Sequence, residues 1–355
     1  MVNYIFRALP LNRDARTQRY RRWLVGDVEI NSWEEHYEKT TGLARLKRGR
    51  QELHKAFSYP LYLLYLFIYS IFTIKKGDRV ICMELDTFIP IFLGSFWKKT
   101  ILYLDIVDPI SQTKFRRVPC NKVFDYIEFF LLKFRTFNII PNKNRLLFYN
   151  DRVGLDVSKC KYLLVENVPF LDGLSYSNDN DFKFDVGYFG TLDESRGLVE
   201  LINYASISGL SLLIAGLGPL EEYISQKSIE LGDSKINFYG SYSAGELDKL
   251  YSMVRYSWAY YTNETILHKY ASPNKYYEHL AFKTPIIMNK FVPLSETIKA
   301  HNTGIIIDDY LNQYTFNNMI DDMKDFNIDD SDFGEWEFCY SNYFVDFSNY
   351  EKSLS

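Results

Sequence analysis

"DVGYFGTLDESRGLVELI", residues 185–202, reads as a buried strand, a glycine, a polar turn and the head of a helix. The apolar run 184–189 stops at Gly190, and Arg196-Gly197 opens the helix. One such unit is common; its recurrence decides the fold. Short runs rich in Val, Ile and Tyr fall at 2–8, 79–85 and 100–106, with a further apolar run at 161–168. In the second half they fall at 184–189, 210–215, 235–239, 256–261, 284–288 and 304–307. Strands separated by helices predict α/β layers, with parallel sheets covered on both faces. A chain of 355 residues is long for one core. The expectation is two Rossmann-like domains, 1–167 and 168–335, divided where turn formers cluster in "VPFLDGLSYSNDNDF", residues 168–182.

Apolar residues make up 47% and charged residues 24%, the balance of a folded water-exposed chain. Aromatics reach 17%, which suits a large core, sugar-stacking surfaces or a membrane interface alike. The net charge of -4 hides a division. Residues 1–165 hold 28 Lys+Arg against 16 Asp+Glu, whereas the remainder holds 13 against 29. That asymmetry predicts that the first half meets an anionic surface. No nucleic-acid module is recognisable, so no nucleic-acid partner is expected, and an anionic membrane surface fits better.

Cys82, Cys120, Cys160 and Cys339 lie far apart, and the five histidines show no ligand spacing. Buried thiols in a reducing compartment are expected, and neither metal nor cofactor is. "MVNYIFRALP" at the start does not read as a signal peptide. "AFSYPLYLLYLFIYSIFTI", residues 56–74, is uncharged and long enough to span a bilayer. It contains Pro60 and leads straight into a buried-strand pattern, so a buried or membrane-lying helix is the preferred reading. Arg45, Lys47, Arg48, Arg50 and Lys55 precede it and would sit on anionic lipid, or form a solvated basic helix.

In open parallel sheets, ligands gather where strands end and helices begin. Gly190 permits close backbone approach, with Thr191 after it, and Arg196 has the fork for a phosphate. The strand in "LLIAGLGPLEEYI" ends at Gly216, and that in "INFYGSYSAGELDKLY" ends at Gly240-Ser241-Tyr242. Each reads alone as a tight βα turn. In "SPNKYYEHLAFKTPII", residues 272–287, Ser272 suits an N-cap and Pro273 the first helical position. Lys275 in the first turn is unfavourable unless an anion offsets it, whereas free amides there attract one. Glu278 shares its face, so a surface salt bridge competes with a ligand site.

In order and spacing, "YFGTLDESRGL", "LLIAGLGPLEEYI", "INFYGSYSAGELDKLY", "SPNKYYEHLAFKTPII" and "NTGIIIDD" resemble the nucleotide-sugar-binding domain of GT-B glycosyltransferases. The likeness is to the retaining, family-four type of bacterial polysaccharide assembly, capsule and O-antigen included. It implies that Arg196 binds the donor diphosphate and that Glu278 accepts from the ribose hydroxyls. It implies further that Ser272, Asn274 and Lys275 cradle phosphate and that Gly240, Ser241 and Tyr242 meet the base. Two positions depart from the pattern. Tyr270 stands where relatives often carry a second glutamate near the transferred sugar, and Gly190-Thr191 replaces a common Gly-Arg pair.

The first half resembles the family more loosely. "LNRDARTQRYRRWL" is similar to the first acceptor-domain helix, and "ILYLDIVDP" to a strand ending in Asp-x-x-Asp. Asp105 and Asp108 are therefore candidate catalytic residues facing a cleft, or plain caps of the strand end. The resemblance also implies that the amphipathic tail, residues 336–355, returns to the first domain. The expected protein is a cytoplasmic enzyme, peripheral on the inner face of the cell membrane. It would move a sugar from a nucleotide diphosphate donor to a lipid-linked glycan acceptor. A non-catalytic partner subunit of another transferase and a nucleotide-sugar epimerase are the alternatives.

Overall fold

The computed structural model describes residues 1–9, 14–24, 26–33, 51–133, 137–169, 182–327, 333, 349–350 and 352. The chain divides into two units, Met1–Glu166 with Ser341–Ser355 and Asn167–Tyr340.

In the first unit, β1 (Asn3–Arg7), β2 (Val28–Ser32), β3 (Arg79–Met83), β4 (Ile101–Asp105), β5 (Phe137–Ile140) and β6 (Leu163–Leu164) form one sheet. Its order is β2-β1-β3-β4-β5-β6, and every pair is parallel. All residues of β1 and β3 are buried, as central parallel strands covered on both faces must be. β2 and β5 were not expected from the sequence. β2 is an edge strand whose Glu29 is exposed, which dilutes the apolar signal, and β5 is only four residues long.

The uncharged stretch forms most of the helix Gln51–Phe72, which contains Pro60. Tyr62, Leu66 and Ser70 are fully buried, while Leu61, Leu64, Ile68 and Phe72 are exposed, so it is neither wholly internal nor solvated. Among the described residues, no helix is long and apolar enough to cross a membrane. The basic run at 45–50, and most of the tail helix, lie outside the described residues. Tyr350 is described: its hydroxyl accepts from the Asn138 amide at 3.4 Å, and its ring meets Phe137 edge-on.

In the second unit, β7 (Phe184–Phe189), β8 (Leu212–Ala215), β9 (Ile236–Gly240), β10 (Val254–Ala259), β11 (Ile286–Asn289) and β12 (Gly304–Ile307) form a second parallel sheet. The order β12-β11-β10-β7-β8-β9 reverses direction between β7 and β10. That switch point is where doubly wound sheets open a crevice at their strand ends. β10 ends two residues earlier than the expected 256–261, which frees Tyr260 and Tyr261 to leave the sheet.

Much of the aromatic surplus is core. Trp258, Tyr256, Tyr103 and Tyr149 are almost wholly enclosed. Buried tyrosine hydroxyls need partners, and they find them: Tyr62 on the Arg7 and Asn31 carbonyls, Tyr149 on Glu128, and Tyr256 on the Met323 carbonyl.

Candidate functional site

The loops after β7, β8 and β9 and the head of the helix Asn274–Ala281 carry the expected ligand-binding side chains. β7 ends at Gly190, whose φ of +154° favours glycine. The next loop is tied to it: Gly216 donates to the Gly240 carbonyl at 2.7 Å, and Gly190 to the Ala215 carbonyl at 2.9 Å. A Cβ on Gly216 would lie 1.7 Å from the Gly190 carbonyl oxygen, so the two loops cross with no room for a side chain.

Asp193 shapes the turn by accepting from the Ser195 amide at 2.9 Å. It thereby caps the 3-10 turn Glu194–Arg196, and Gly197 at φ +62° redirects the chain into the helix Leu198–Ser208. Trp258 holds the Arg196 backbone by donating its indole N–H to the Arg196 carbonyl at 2.8 Å. The Arg196 guanidinium lies 4.6 Å from the Tyr261 ring centroid, a cation–π contact. Its Nη1 is buried without any hydrogen-bond partner.

Lys275 comes from the helix head. Its Nζ donates to the Phe189 carbonyl and lies 4.3 Å from the Tyr188 ring centroid. A Cβ on Gly190 would come within 2.8 Å of that nitrogen. Burial, opposed by Glu278 and reinforced by Arg196, brings the Lys275 pKa down to about 8. Two cations thus share one pocket of charge. The surface salt bridge weighed from the sequence is not made: Lys275 donates to a backbone carbonyl, and buried Glu278 accepts from the Tyr251 hydroxyl at 2.9 Å.

Tyr242 belongs to the same neighbourhood. Burial raises its pKa, and Glu278 and Tyr188 push it further up. Gly190, Arg196, Lys275, Glu278 and Tyr242 are therefore brought together, with Gly216 and Gly240 locking the loops behind them.

The other expected residues differ in burial and partners. Thr191, Ser241 and Asn274 are exposed. Tyr270 is buried, with Lys269 5.3 Å from its ring centroid. Ser272 is not the N-cap: Pro273, at ψ 137°, holds that place, and Asn274 is the first helical residue. The Ser272 hydroxyl lies 3.5 Å from the Tyr277 hydroxyl, and its carbonyl accepts from Asn167 at 2.7 Å. Sequence reasoning missed Tyr188, Tyr251 and Tyr261, whose aromatic signal is that of any buried strand or helix.

Residues 177–335 match the family model described as glycosyl transferases group 1. The chain is a glycosyltransferase. No curated protein matches it. Among solved structures, sucrose-phosphate synthase from Thermosynechococcus elongatus superposes with a TM-score of 0.69 at 11% identity, over 100% of this chain and 99% of that one. The α,α-trehalose-phosphate synthase (UDP-forming) from Burkholderia vietnamiensis gives 0.64 at 9% identity, over 99% of both chains. The lipopolysaccharide outer core galactosyltransferase WaaB, in its apo form, gives 0.60 at 13% identity, over 100% of both. Likeness at such low identity fixes the fold, two Rossmann-like domains of the GT-B kind.

In the first unit of this glycosyltransferase, Asp105 ends β4 and is wholly buried. Arg16 grips both its oxygens, Nε at 2.7 Å and Nη2 at 3.0 Å, and the Tyr20 hydroxyl donates to it at 2.7 Å. Arg16 also donates to the Val165 carbonyl at 2.7 Å. Those bonds tie the helix Ala15–Trp23 to β4 and to the end of β6. Asp108 is different: its side chain is 39% exposed and pairs at 2.8 Å with Arg145, which is 4% exposed. Among the described residues, no group of three or more acidic, cysteine or histidine side chains could hold a metal ion.

Proposed function

We propose that this glycosyltransferase takes its sugar from a nucleoside diphosphate donor and passes it to a lipid-linked glycan, with retention at the anomeric carbon. Capsule or O-antigen assembly on the inner face of a bacterial membrane is the setting. One observation carries the donor reading: the buried, partnerless Arg196 Nη1 beside a second cation, Lys275. Buried donors are ordinarily satisfied, and buried charges are ordinarily paired. A diphosphate supplies both needs, and the trehalose-phosphate synthase named above is UDP-forming by its own description.

Departure of the nucleoside diphosphate leaves negative charge on the phosphate. Arg196, Lys275 and the amides at the head of the helix Asn274–Ala281 are fixed donors for that charge as it forms. Glu278, held by Tyr251, offers a carboxylate to sugar hydroxyls of the nucleoside. Tyr242, behind Gly240, is suited to the base. Of the two aspartates, Asp108 has the accessible carboxylate and is the one proposed to act on the acceptor. The basic first half supports the membrane setting.

A second reading, a non-catalytic donor-binding partner, is favoured by Tyr270, which is buried where relatives often hold a glutamate. One experiment separates the two. The full chain is titrated calorimetrically with UDP, GDP and dTDP and then incubated with the matching sugar nucleotides and a lipid-linked acceptor. Glycan extension supports transfer; binding without turnover supports the partner; no nucleotide binding overturns both.

A further inference from the structure

We infer that the first unit holds one hydrocarbon chain of an anionic lipid in a cavity between two of its helices. The inference deepens the membrane setting proposed above and rests on it.

The helix Leu85–Ser95 packs along the helix Gln51–Phe72. Between and beside them lies a cavity of about 310 Å³ lined by Leu63, Phe67, Ile89, Pro90, Leu93 and Phe115, among others. That volume sits at the lower end of the range for ligand pockets, about 300–1,000 Å³. Its one charged lining residue is Asp86, whose carboxylate is committed to the Tyr59 hydroxyl and Lys114. The cavity therefore offers an occupant almost nothing to hydrogen-bond. A peptide strand or a sugar would lose its water without replacement, whereas a hydrocarbon chain has no such cost.

Exposed apolar side chains also form part of the cavity wall. Ile89 and Leu93 line it and are themselves 40% and 50% exposed. Leu61, Leu64, Ile68 and Phe72 make one exposed stripe at helical spacing, and Ile89, Phe92, Leu93 and Phe96 make another, continued by Trp97. A contiguous apolar surface of this kind marks a site of contact.

Charge identifies the contact. Between residues 59 and 133, Lys75, Lys76, Lys99, Arg116, Arg117 and Lys122 are exposed. Over the same span, Asp78, Glu84, Asp86, Asp105, Asp125 and Glu128 are all buried, and Asp108 is partly covered. Along this stretch of the chain the exposed charges are cations, apart from Asp108, which Arg145 pairs. Arg116 and Arg117 follow Phe115 of the cavity wall directly, and Phe115 stacks on Phe124, another wall residue, with ring centroids 4.5 Å apart. An apolar slot with two exposed arginines next to its wall complements an anionic headgroup on a hydrocarbon tail.

The test uses the full chain. Dodecyl phosphate, butyl phosphate and dodecyl maltoside are titrated below their aggregation thresholds, and UDP binding is measured on the same samples. Because every buried methylene adds affinity, dodecyl phosphate is expected to bind at least about tenfold more tightly than butyl phosphate. Ile89→Trp and Leu93→Trp, which fill the mouth at half-exposed positions, are expected to remove that preference with UDP binding unchanged. Arg116→Glu with Arg117→Glu is expected to bring dodecyl phosphate down to the level of dodecyl maltoside. Vesicles of phosphatidylglycerol, but not of phosphatidylcholine, should then sediment the wild-type chain and release both tryptophan variants. Chain-length independence, or tryptophan variants that bind like the wild type, would overturn the inference. Tail binding lost with UDP binding kept sinks this inference alone; UDP binding absent with tail binding kept sinks the donor reading alone.

Discussion

The two sheets end in different electrostatics. In the first unit, cations near the strand ends are matched by acids. Arg7 lies 2.6 Å from Asp14 and 2.9 Å from Glu84, Lys114 lies 3.0 Å from Glu84, and Arg16 closes on Asp105. In the second unit, Arg196 rests on Tyr261, and Lys275 on Tyr188 and a backbone carbonyl. Among the described residues, neither has an ion-pair partner. The contrast separates charge that builds a fold from charge that waits for something. A paired buried ion has its desolvation offset by its neighbour, while an unpaired one still carries that cost.

That contrast breaks hardest at Asp105. Asp105→Ala strands Arg16 in the core, and urea unfolding should register a loss of about 3–5 kcal/mol. Arg196→Ala should behave in the opposite way. Stability should stay within about 1 kcal/mol, while UDP affinity measured by calorimetry falls about 10- to 100-fold, the worth of a hydrogen bond to a charged group. If Arg196→Ala unfolds the protein as readily as Asp105→Ala does, the distinction fails.

Glu278 lies between these extremes, because it serves the fold and the site together. Glu278→Ala abandons the buried Tyr251 hydroxyl and should cost about 1–3 kcal/mol in thermal or urea unfolding, besides weakening nucleotide binding. Glu278→Gln keeps an oxygen for Tyr251, so it should spare stability and lose only affinity. Equal stability losses in both variants would show that the carboxylate charge itself holds the fold.

The smallest effect is in pH. Lys275, depressed to about 8 chiefly by burial, must be protonated to hold an anion, so UDP affinity should be full below that pH and fade as pH rises through it. Stability runs the other way. The cost of burying the ammonium is present in full below about 8 and is shed between there and lysine's ordinary 10.5, so this group's contribution improves over that window. Lys275→Arg should flatten the affinity profile, since arginine stays charged throughout.

Much of this was legible in the sequence, for identifiable reasons. Ten of the twelve strands announced themselves as apolar runs, because both faces of a parallel sheet are covered. The edge strand β2 did not, since Glu29 and Asn31 interrupt its run. Arg196, Lys275 and Glu278 were singled out by resemblance to a family's motifs, since locally each reads equally well as a turn residue or half of a surface salt bridge. Asp105 could not be assigned in advance: its partner Arg16 is 89 residues away, and no local pattern records that pairing. Tyr188 and Tyr261 were equally opaque, because a ring that receives a cation and a ring that fills a core have the same sequence signature.

The crossing of Gly216 over the Gly190 carbonyl carries a consequence for anyone reshaping this enzyme. The two turns behave as a single hinge pin. Enlarging either glycine would push on the Lys275 side at the same time, so altered donor preference has to be sought in libraries that vary both turns jointly. Scanning one position at a time would miss combinations in which the two turns adjust together.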